Sequence, residues 1–312
     1  MRILLAIVHH WNPQGGGRHA SLRPDPTPRL HALQDQLLAL ARLGTAQGVL
    51  NIEGMRVDNA NQALRHQFTI KVITDGEHHV LDRLDRQHQP LVEHVATAPI
   101  SPRHLGFEAQ RVLAEHLEDG YDLYGYVEDD LLIHDPLFFH KIFWFQQQVG
   151  PEAVLLPHRM ELFWQPDHRV EKFYIDGPVP QADLDALLLH PAAPVGAPLP
   201  GGQVVFAAPQ NPHSGCFVLS QAQLRHWSEQ PWFLDGDSTY VSPLESAATL
   251  GICKTFKIYK PHFTYAAFLE LQHWGTSFRS LIGGQVRQPD PASEADLDPD
   301  AASGSGAPAG AA

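Results

Sequence analysis

Three consecutive carboxylates, Glu128, Asp129 and Asp130, are the side chains of this 312-residue chain that are best placed to do chemistry. They follow residues 121–127, an apolar run typical of a buried strand. Carboxylates crowded at a strand end repel one another unless a cation neutralises them. Mg²⁺ and Mn²⁺ prefer oxygen ligands and often need only one or two carboxylates together with phosphates. The triplet therefore indicates either a metal–nucleotide site or a solvated acidic turn.

The elements that must position this triplet alternate between strands and helices. Apolar and β-branched runs predict strands at 2–8, 68–74, 92–95, 121–127, 153–157 and 216–219. Apolar spacings of three and four predict helices at 29–43 and 104–118, and Asp135-Pro136 predicts an N-cap and first turn for a helix reaching about 148. This alternation predicts an α/β fold with a mostly parallel sheet flanked by helices. Ligands bind such sheets beyond the carboxyl ends of the strands, where the triplet lies.

Two segments depart from this alternation. Residues 176–213 contain eight prolines, and we interpret them as a long insertion over one edge of the sheet, with a short helix at 181–189. Residues 289–312 contain four prolines and five acidic residues but no Lys or Arg, which predicts a disordered tail. The expected organisation is one catalytic domain over 1–288, including the insertion, followed by the tail.

Composition excludes several classes of protein. The net charge of −13 argues against a nucleic-acid-binding protein, which needs a basic face. Two cysteines make neither a disulfide scaffold nor a four-cysteine zinc site, and the histidine doublets at 9–10 and 78–79 lack the HExxH spacing of zinc enzymes. The sequence has no run of about 20 apolar residues, so no transmembrane segment is predicted. The N-terminal apolar run lacks a signal-peptide cleavage site. We therefore expect a soluble, cytoplasmic protein.

The residues around the triplet resemble a known family. YGYVEDDL at 124–131, followed by DPLFF at 135–139, resembles the acidic-motif region of GT-A glycosyltransferases. It is most similar to the EDD form in the N-acetylglucosaminyltransferase I family. The resemblance implies a GT-A (Rossmann-like) fold with a mixed, mostly parallel sheet. It also implies that Asp130 binds Mn²⁺ or Mg²⁺, while Glu128 and Asp129 hold the ribose or sugar of a nucleotide-sugar.

The same resemblance implies further contacts with the donor. GT-A enzymes bind the base and ribose at the loop after the first strand, which here begins at His9 and includes three glycines at 15–17 and Arg18. Asp75, after the second strand, is a candidate nucleotide contact or a simple Asp-Gly turn. Gly215, in SGCFVLS at 214–220, resembles the glycine that leaves room for the donor sugar.

Catalytic and further metal-binding candidates come late in the chain. GT-A enzymes often carry a catalytic acid near the start of a late helix, and Glu245 in SPLE at 242–245 occupies that place. A helix-capping box explains the same residues, so base and cap both stay open. Asp237 is the reserve candidate for the base. GT-A enzymes often supply a C-terminal histidine to the metal, for which we favour His273 over His262.

These features predict a metal-dependent, inverting glycosyltransferase that moves a sugar from a nucleotide-diphosphate sugar, a UDP-sugar, to a hydroxyl of a glycan, lipid or other acceptor. Two alternatives remain open. A sugar-nucleotide nucleotidyltransferase has related topology and would use a Gly- and Arg-bearing first loop to hold a triphosphate. A non-catalytic carbohydrate- or metal-binding protein would keep the acidic cluster without turnover.

Overall fold

The computed structural model describes residues 1–16, 20–164, 169–199, 202–282 and 284–287. Arg18 and the tail at 289–312 lie outside these residues. The helices are α1 (Thr27–Gly44), α2 (Leu105–Glu115), α3 (Phe138–Val149), α4 (Gln181–Leu187), α5 (Gln221–Ser228) and α6 (Pro243–Thr255). The strands are β1 (Arg2–Val8), β2 (Gly48–Asn51), β3 (Arg56–Asn59), β4 (Gln67–Thr74), β5 (Glu93–Ala96), β6 (Leu123–Glu128), β7 (Leu131–Leu132), β8 (Ala153–Leu155), β9 (His158–Trp164), β10 (Val170–Tyr174), β11 (Val195–Leu199), β12 (Gly202–Ala207), β13 (Cys216–Ser220), β14 (Lys257–Pro261) and β15 (Glu270–His273).

The central sheet has the strand order β13-β6-β1-β4-β5. The pairs β6–β1, β1–β4 and β4–β5 are parallel, and only β13 runs antiparallel to its neighbour. This order confirms the predicted α/β class with a mostly parallel sheet flanked by helices. Because β6, β1 and β4 run in the same direction, the residues that follow them meet at one edge of the sheet.

Strand β1 is apolar on both faces because both faces are covered. Leu5 and Ile7 pack into a core that contains Leu33 and Leu37 of α1 together with the buried aromatic residues of α3. Leu4 and Ala6 pack on the opposite side, into a core built from α2, α5 and α6. The helices on both sides hold the carboxyl edge of the sheet in place.

Smaller sheets complete the fold. One has the order β10-β9-β15-β7, and another has the order β11-β12-β14-β8. Strands β2 and β3 form a separate hairpin. Strand β7 pairs antiparallel with β15, which places His273 opposite Leu131. His273 is thereby brought beside the end of the acidic triplet, more than 140 residues earlier in the chain.

Several predicted elements differ in detail. The N-cap predicted at Asp135 is wrong, because α3 begins at Phe138 and Leu137 is its N-cap. Asp135 instead accepts the backbone N–H of Leu137 at 2.8 Å and the Nζ of Lys141 at 2.6 Å, within a turn before the helix. Helix α2 ends at Glu115, and a 3₁₀ turn covers the remainder of the predicted span. The proline-rich segment contains α4, as expected, and also contributes strands β11 and β12.

Among the described residues, no helix combines the length and the apolar character needed to cross a bilayer.

Candidate active site

The carboxyl edge of the central sheet gathers polar residues from three strands. Val8 pairs with Glu128 and with Ile73, so the residues that follow β1, β4 and β6 lie side by side. His9 and the acidic triplet therefore come together, as the topology requires. The grouping depends on strand order and not on sequence proximity.

Glu128 lies against Gly215 at the end of β6. The backbone N–H of Glu128 donates to the carbonyl oxygen of Gly215 at 2.9 Å. A Cβ built on Gly215, whose φ is +60°, would lie 2.5 Å from Glu128 Oε2, so a side chain there would displace the carboxylate. The Oε1 atom of Glu128 is buried and has no hydrogen-bond partner among the described residues. Burial, followed by the charges of Asp130 and Glu245, raises the pKa of Glu128 to about 8.

The side chain of Asp129 is buried and bonded to two other side chains. Its Oδ2 lies 2.6 Å from His9 Nδ1, and its Oδ1 accepts from the guanidinium of Arg29. His9 Nε2 accepts the backbone N–H of Val80 at 3.1 Å, so the ring proton is on Nδ1 and is donated to Asp129. Burial favours a higher pKa for Asp129, but Arg29 and His9 outweigh it and hold the pKa below its ordinary value.

Asp130 has one carboxylate oxygen engaged and one free. Arg29 donates to its Oδ2 at 3.2 Å, while Oδ1 is buried without a partner in the described part of the chain. His273 Nε2 lies 3.8 Å from the same Oδ2. The backbone N–H of Trp274 donates to the Asp130 carbonyl at 2.7 Å, which fixes the β15 end against the triplet. Asp130 and His273 therefore face a common space.

His273 is oriented by a second carboxylate. Its Nδ1 lies 3.0 Å from Oε1 of Glu161, a fully buried residue of β9. Glu161 also accepts the backbone N–H groups of Phe278 and Arg279, at 3.1 and 2.7 Å. A carboxylate on one imidazole nitrogen leaves the other nitrogen available as a ligand, the arrangement that supports histidines at metal centres. His262 lies elsewhere, at the start of a 3₁₀ helix, where its Nδ1 lies 3.0 Å from the Thr264 hydroxyl.

The two candidate bases lie near different ends of α6, Glu245 within the helix and Asp237 in the loop that precedes it. Glu245 is in the first turn, and its carboxylate accepts a hydrogen bond from the Ser242 hydroxyl. Ser242 is the N-cap by position, but its side chain makes no bond to the helix backbone and bonds to the Glu245 side chain instead, so the two residues do not form a capping box. Asp237 instead pairs with Lys254 Nζ at 2.7 Å, near the last turn of the helix. Glu245 is thus the one whose charge reaches Glu128.

Asp75 forms the Asp-Gly turn that the sequence predicts as the alternative to a nucleotide contact. Its Oδ1 accepts the backbone N–H groups of Glu77 and His78, at 3.0 and 2.7 Å. Its Oδ2 faces the rings of His78 and His10. The turn and a ligand-binding role are compatible, because only one oxygen is used by the backbone.

Arg29, Glu161 and Arg159 were not anticipated from the sequence. Arg29 carried one signal, since a cation in the first turn of a helix opposes the helix dipole and needs a compensating partner elsewhere. Arg159 is buried and donates from Nε to Asp176 at 2.8 Å, with its charge reaching Glu128 and Asp130. Glu161 gave no comparable signal, because it lies within an otherwise apolar run.

A cleft of about 360 Å³ lies beside α1 and the end of β15, and neither the acidic triplet nor His273 is among its lining residues. Its walls come from α1 and from the end of β15, and include Asp35, Arg42, His134, Gln272 and Trp274. The indole Nε1 of Trp274 donates to Asp35 at 2.8 Å, which holds the ring at the cleft wall. The cleft combines an aromatic surface with several polar groups, a composition suited to a small polar ligand.

Two solved structures illustrate what the chain is similar to, and both likenesses are distant. No protein-family model and no curated protein sequence matches the chain. Among solved structures, the chain resembles mannose-1-phosphate geranyltransferase from Thermus thermophilus, with 13% identity over 83% of this chain and 73% of that chain and a TM-score of 0.39. It also resembles CMP:2-keto-3-deoxy-manno-octonic acid synthetase in complex with CTP, with 10% identity over 87% and 90% of the two chains and a TM-score of 0.34. Similarities this distant assign neither a family nor an activity.

Proposed function

We propose that this protein is a metal-dependent glycosyltransferase of GT-A architecture. It transfers a sugar from a nucleoside-diphosphate donor, a UDP-sugar, to an acceptor hydroxyl with inversion. The observation that carries the proposal is the position of Glu128 and Asp130 at the carboxyl edge of the sheet, with His273 Nε2 3.8 Å from Asp130 and Gly215 against Glu128. Carboxylate and imidazole groups of this kind are ligands that a metal-dependent transfer requires.

The residues present fit a hard divalent cation. Asp130 Oδ1 and Glu128 Oε1 are buried oxygens without a described partner, and such oxygens are costly unless a cation or donor meets them. His273 offers Nε2 on the same side, with Nδ1 held by Glu161. Asp130 and His273 would hold Mn²⁺ or Mg²⁺. A cation there supplies positive charge that stabilises the leaving diphosphate.

The donor is placed by the groups around the cation. Gly215 has no side chain and so leaves room for the Glu128 carboxyl group against its backbone. Glu128 is the proposed contact to the sugar or ribose hydroxyls. Asp129 is already bonded to His9 and Arg29, so we assign Asp129 and His9 to positioning the triplet. Arg18 remains a proposed phosphate contact, and Asp75 a proposed nucleotide contact.

Glu245 is the proposed general base. It accepts the proton of the acceptor hydroxyl as that oxygen bonds to the anomeric carbon and the bond from this carbon to the diphosphate breaks. Asp237 is the reserve base, although its ion pair with Lys254 occupies one oxygen.

Calorimetric titration of UDP with and without Mn²⁺ tests the metal site. Asp130→Asn should abolish the Mn²⁺-dependent part of UDP binding, because it removes a charged ligand. Asp135→Asn, five residues along the chain in a surface turn, is the matched control and should bind as the unsubstituted protein does. Equal binding by both variants, or no UDP binding at all, would contradict the proposal.

A transfer assay tests the chemistry. Glu245→Gln should lose sugar transfer while it retains donor binding and thermal stability, whereas Asp237→Asn should retain transfer. The reverse pattern would move the base to Asp237. Release of pyrophosphate from a nucleoside triphosphate and a sugar phosphate would replace the proposal with the nucleotidyltransferase alternative. UDP-sugar binding without hydrolysis or transfer to any acceptor would leave a non-catalytic binding protein.

A further inference from the structure

A second group of ligand-type side chains lies where β1 and β4 end. His10 Nδ1 is 3.6 Å from Asp75 Oδ2, and His78 Nδ1 is 2.8 Å from the same oxygen. One ligand atom from each of the three residues lies within 4.8 Å of the others. Zinc–ligand bonds of about 2.0–2.2 Å place neighbouring ligands of a tetrahedral ion about 3.3 Å apart. The observed spacings bracket that value.

The backbone already holds these side chains in place. The backbone N–H of Trp11 donates to the His78 carbonyl at 2.9 Å, and that of His9 donates to the Ile73 carbonyl at 3.0 Å. Asp75 uses Oδ1 for its turn, which leaves Oδ2 directed at the two rings. Little reorganisation is needed for the three residues to share one ion.

His10 distinguishes this group from an ordinary His–Asp pair. Its Nδ1 is buried and has no hydrogen-bond partner within the described ranges. The pair His116–Asp119 has the same three-residue spacing as Asp75–His78 and a similar separation of 2.6 Å, but no third ligand joins it among the residues that the structure describes. An unpaired imidazole nitrogen facing a carboxylate that already meets a second imidazole is a feature that a bound cation explains.

We propose that His10, Asp75 and His78 form a binding site for a divalent transition-metal ion, with Zn²⁺ as the best match. Two imidazoles and one carboxylate suit zinc better than Mg²⁺ or Ca²⁺, which prefer all-oxygen sites. The ion joins the ends of two neighbouring parallel strands and so stabilises the loop after β1. Three protein ligands leave a coordination position for water or for an oxygen of another ligand. The site does not include Asp130 or His273, and although it shares Asp75 with the proposed nucleotide contact, Zn²⁺ binding can be measured without transferase activity.

Zn²⁺ titration of the full chain, without an affinity tag and against a competing chromophoric chelator, tests the site. The unsubstituted protein should bind one Zn²⁺ that Asp130→Asn does not remove. His10→Gln, Asp75→Asn and His78→Gln should each weaken this binding by about 100-fold, because each removes a ligand. Asp75→Asn keeps an oxygen that accepts the two backbone bonds of the turn, so folding should persist.

Two variants serve as controls. His116→Gln removes a histidine from the comparable surface pair, and Asp130→Asn alters the other proposed metal site; both should bind Zn²⁺ normally. The proposal would be overturned if the unsubstituted protein bound no Zn²⁺, or if all three ligand variants bound Zn²⁺ as tightly as the unsubstituted protein. Should a variant fail to fold, the Co²⁺ complex of the unsubstituted protein decides. Paramagnetically shifted ring N–H resonances from two histidines would support the site, and their absence would overturn it.

Discussion

A single substitution of Arg29 tests how far its positive charge stabilises the acidic triplet. Its guanidinium bonds to both Asp129 and Asp130, and its side chain is 11% exposed. Burial alone would lower the pKa of Arg29, but the two carboxylates outweigh it and raise the pKa above its ordinary value. Arg29→Met keeps much of the aliphatic stem and removes only the charge and its hydrogen bonds.

The expected loss follows from the burial of the partners. Removing one member of a buried ion pair typically lowers the free energy of unfolding by about 3–5 kcal/mol. For Arg29→Met we expect a loss of about 3 kcal/mol. The lower end applies because His9 still bonds to Asp129 and because the Asp130 side chain is 19% exposed, so water can hydrate it. For a chain of this size, with an unfolding entropy of about 2.1 cal/mol/K per residue, about 3 kcal/mol corresponds to a fall in Tm of about 5 °C.

Urea unfolding followed by circular dichroism measures this loss. Arg42→Met, in the last turn of the same helix, is the matched control, because Arg42 is exposed and has no ion pair among the described residues. It should cost less than about 1 kcal/mol. Combining Arg29→Met with Asp129→Asn should cost less than the sum of the two single changes, because the charge that needs compensation is then gone.

Comparable stability of Arg29→Met and Arg42→Met, or strictly additive effects in the cycle, would refute this account of Arg29. Mn²⁺ gives a further comparison. If the cation binds at Asp130, it should raise the Tm of Arg29→Met more than that of the unsubstituted protein, because it replaces the missing positive charge.

Three other changes give clear expectations. Burial, followed by the nearby His140, lowers the pKa of His66 to about 4. The neutral imidazole therefore stabilises the fold fully above about pH 6.5, and this stabilisation is lost as the pH falls towards 4. Thermal melts at pH 7.5 and pH 5 compare the His66→Phe variant with the unsubstituted protein. Between these pH values the variant should lose up to about 2 kcal/mol less stability than the unsubstituted protein, and an equal loss in both would contradict this. Gly215→Ala adds a left-handed-backbone penalty of about 1–2 kcal/mol and displaces Glu128, so calorimetry should show weaker UDP binding; unaltered binding would remove Gly215 from the site. Asp176→Asn leaves the buried Lys260 without its carboxylate and should cost about 3–5 kcal/mol in urea unfolding, whereas a loss below about 1 kcal/mol would show that the pair is not needed.

The sequence predicted the central elements because their signals are local. Strand β1 is apolar at successive positions since both its faces are covered, and that pattern is visible without any knowledge of its neighbours. The position of Glu128, Asp129 and Asp130 at a strand end could be deduced in the same way. The hairpin β2–β3 was missed, because its largely exposed residues produce no apolar alternation.

The partners of the acids could not be predicted. Arg29 precedes Asp129 by 100 residues, and Glu161 precedes His273 by 112. Neither pair has a spacing that marks it in the sequence. The histidine doublets at 9–10 and 78–79 lack zinc spacing along the chain, and only the sheet brings His10 beside Asp75 and His78.

By itself, the sequence determined which segments are buried and where a strand delivers three carboxylates, since side-chain alternation and helical periodicity are properties of a few neighbouring residues. Only the tertiary structure decided which charges meet. Arg29 binds Asp129 and Asp130, Glu161 orients His273, and His10 faces Asp75 because parallel strands and packed helices bring distant segments to one edge. Electrostatic energy depends on distance through space and on burial, and neither is written in the spacing of residues along the chain.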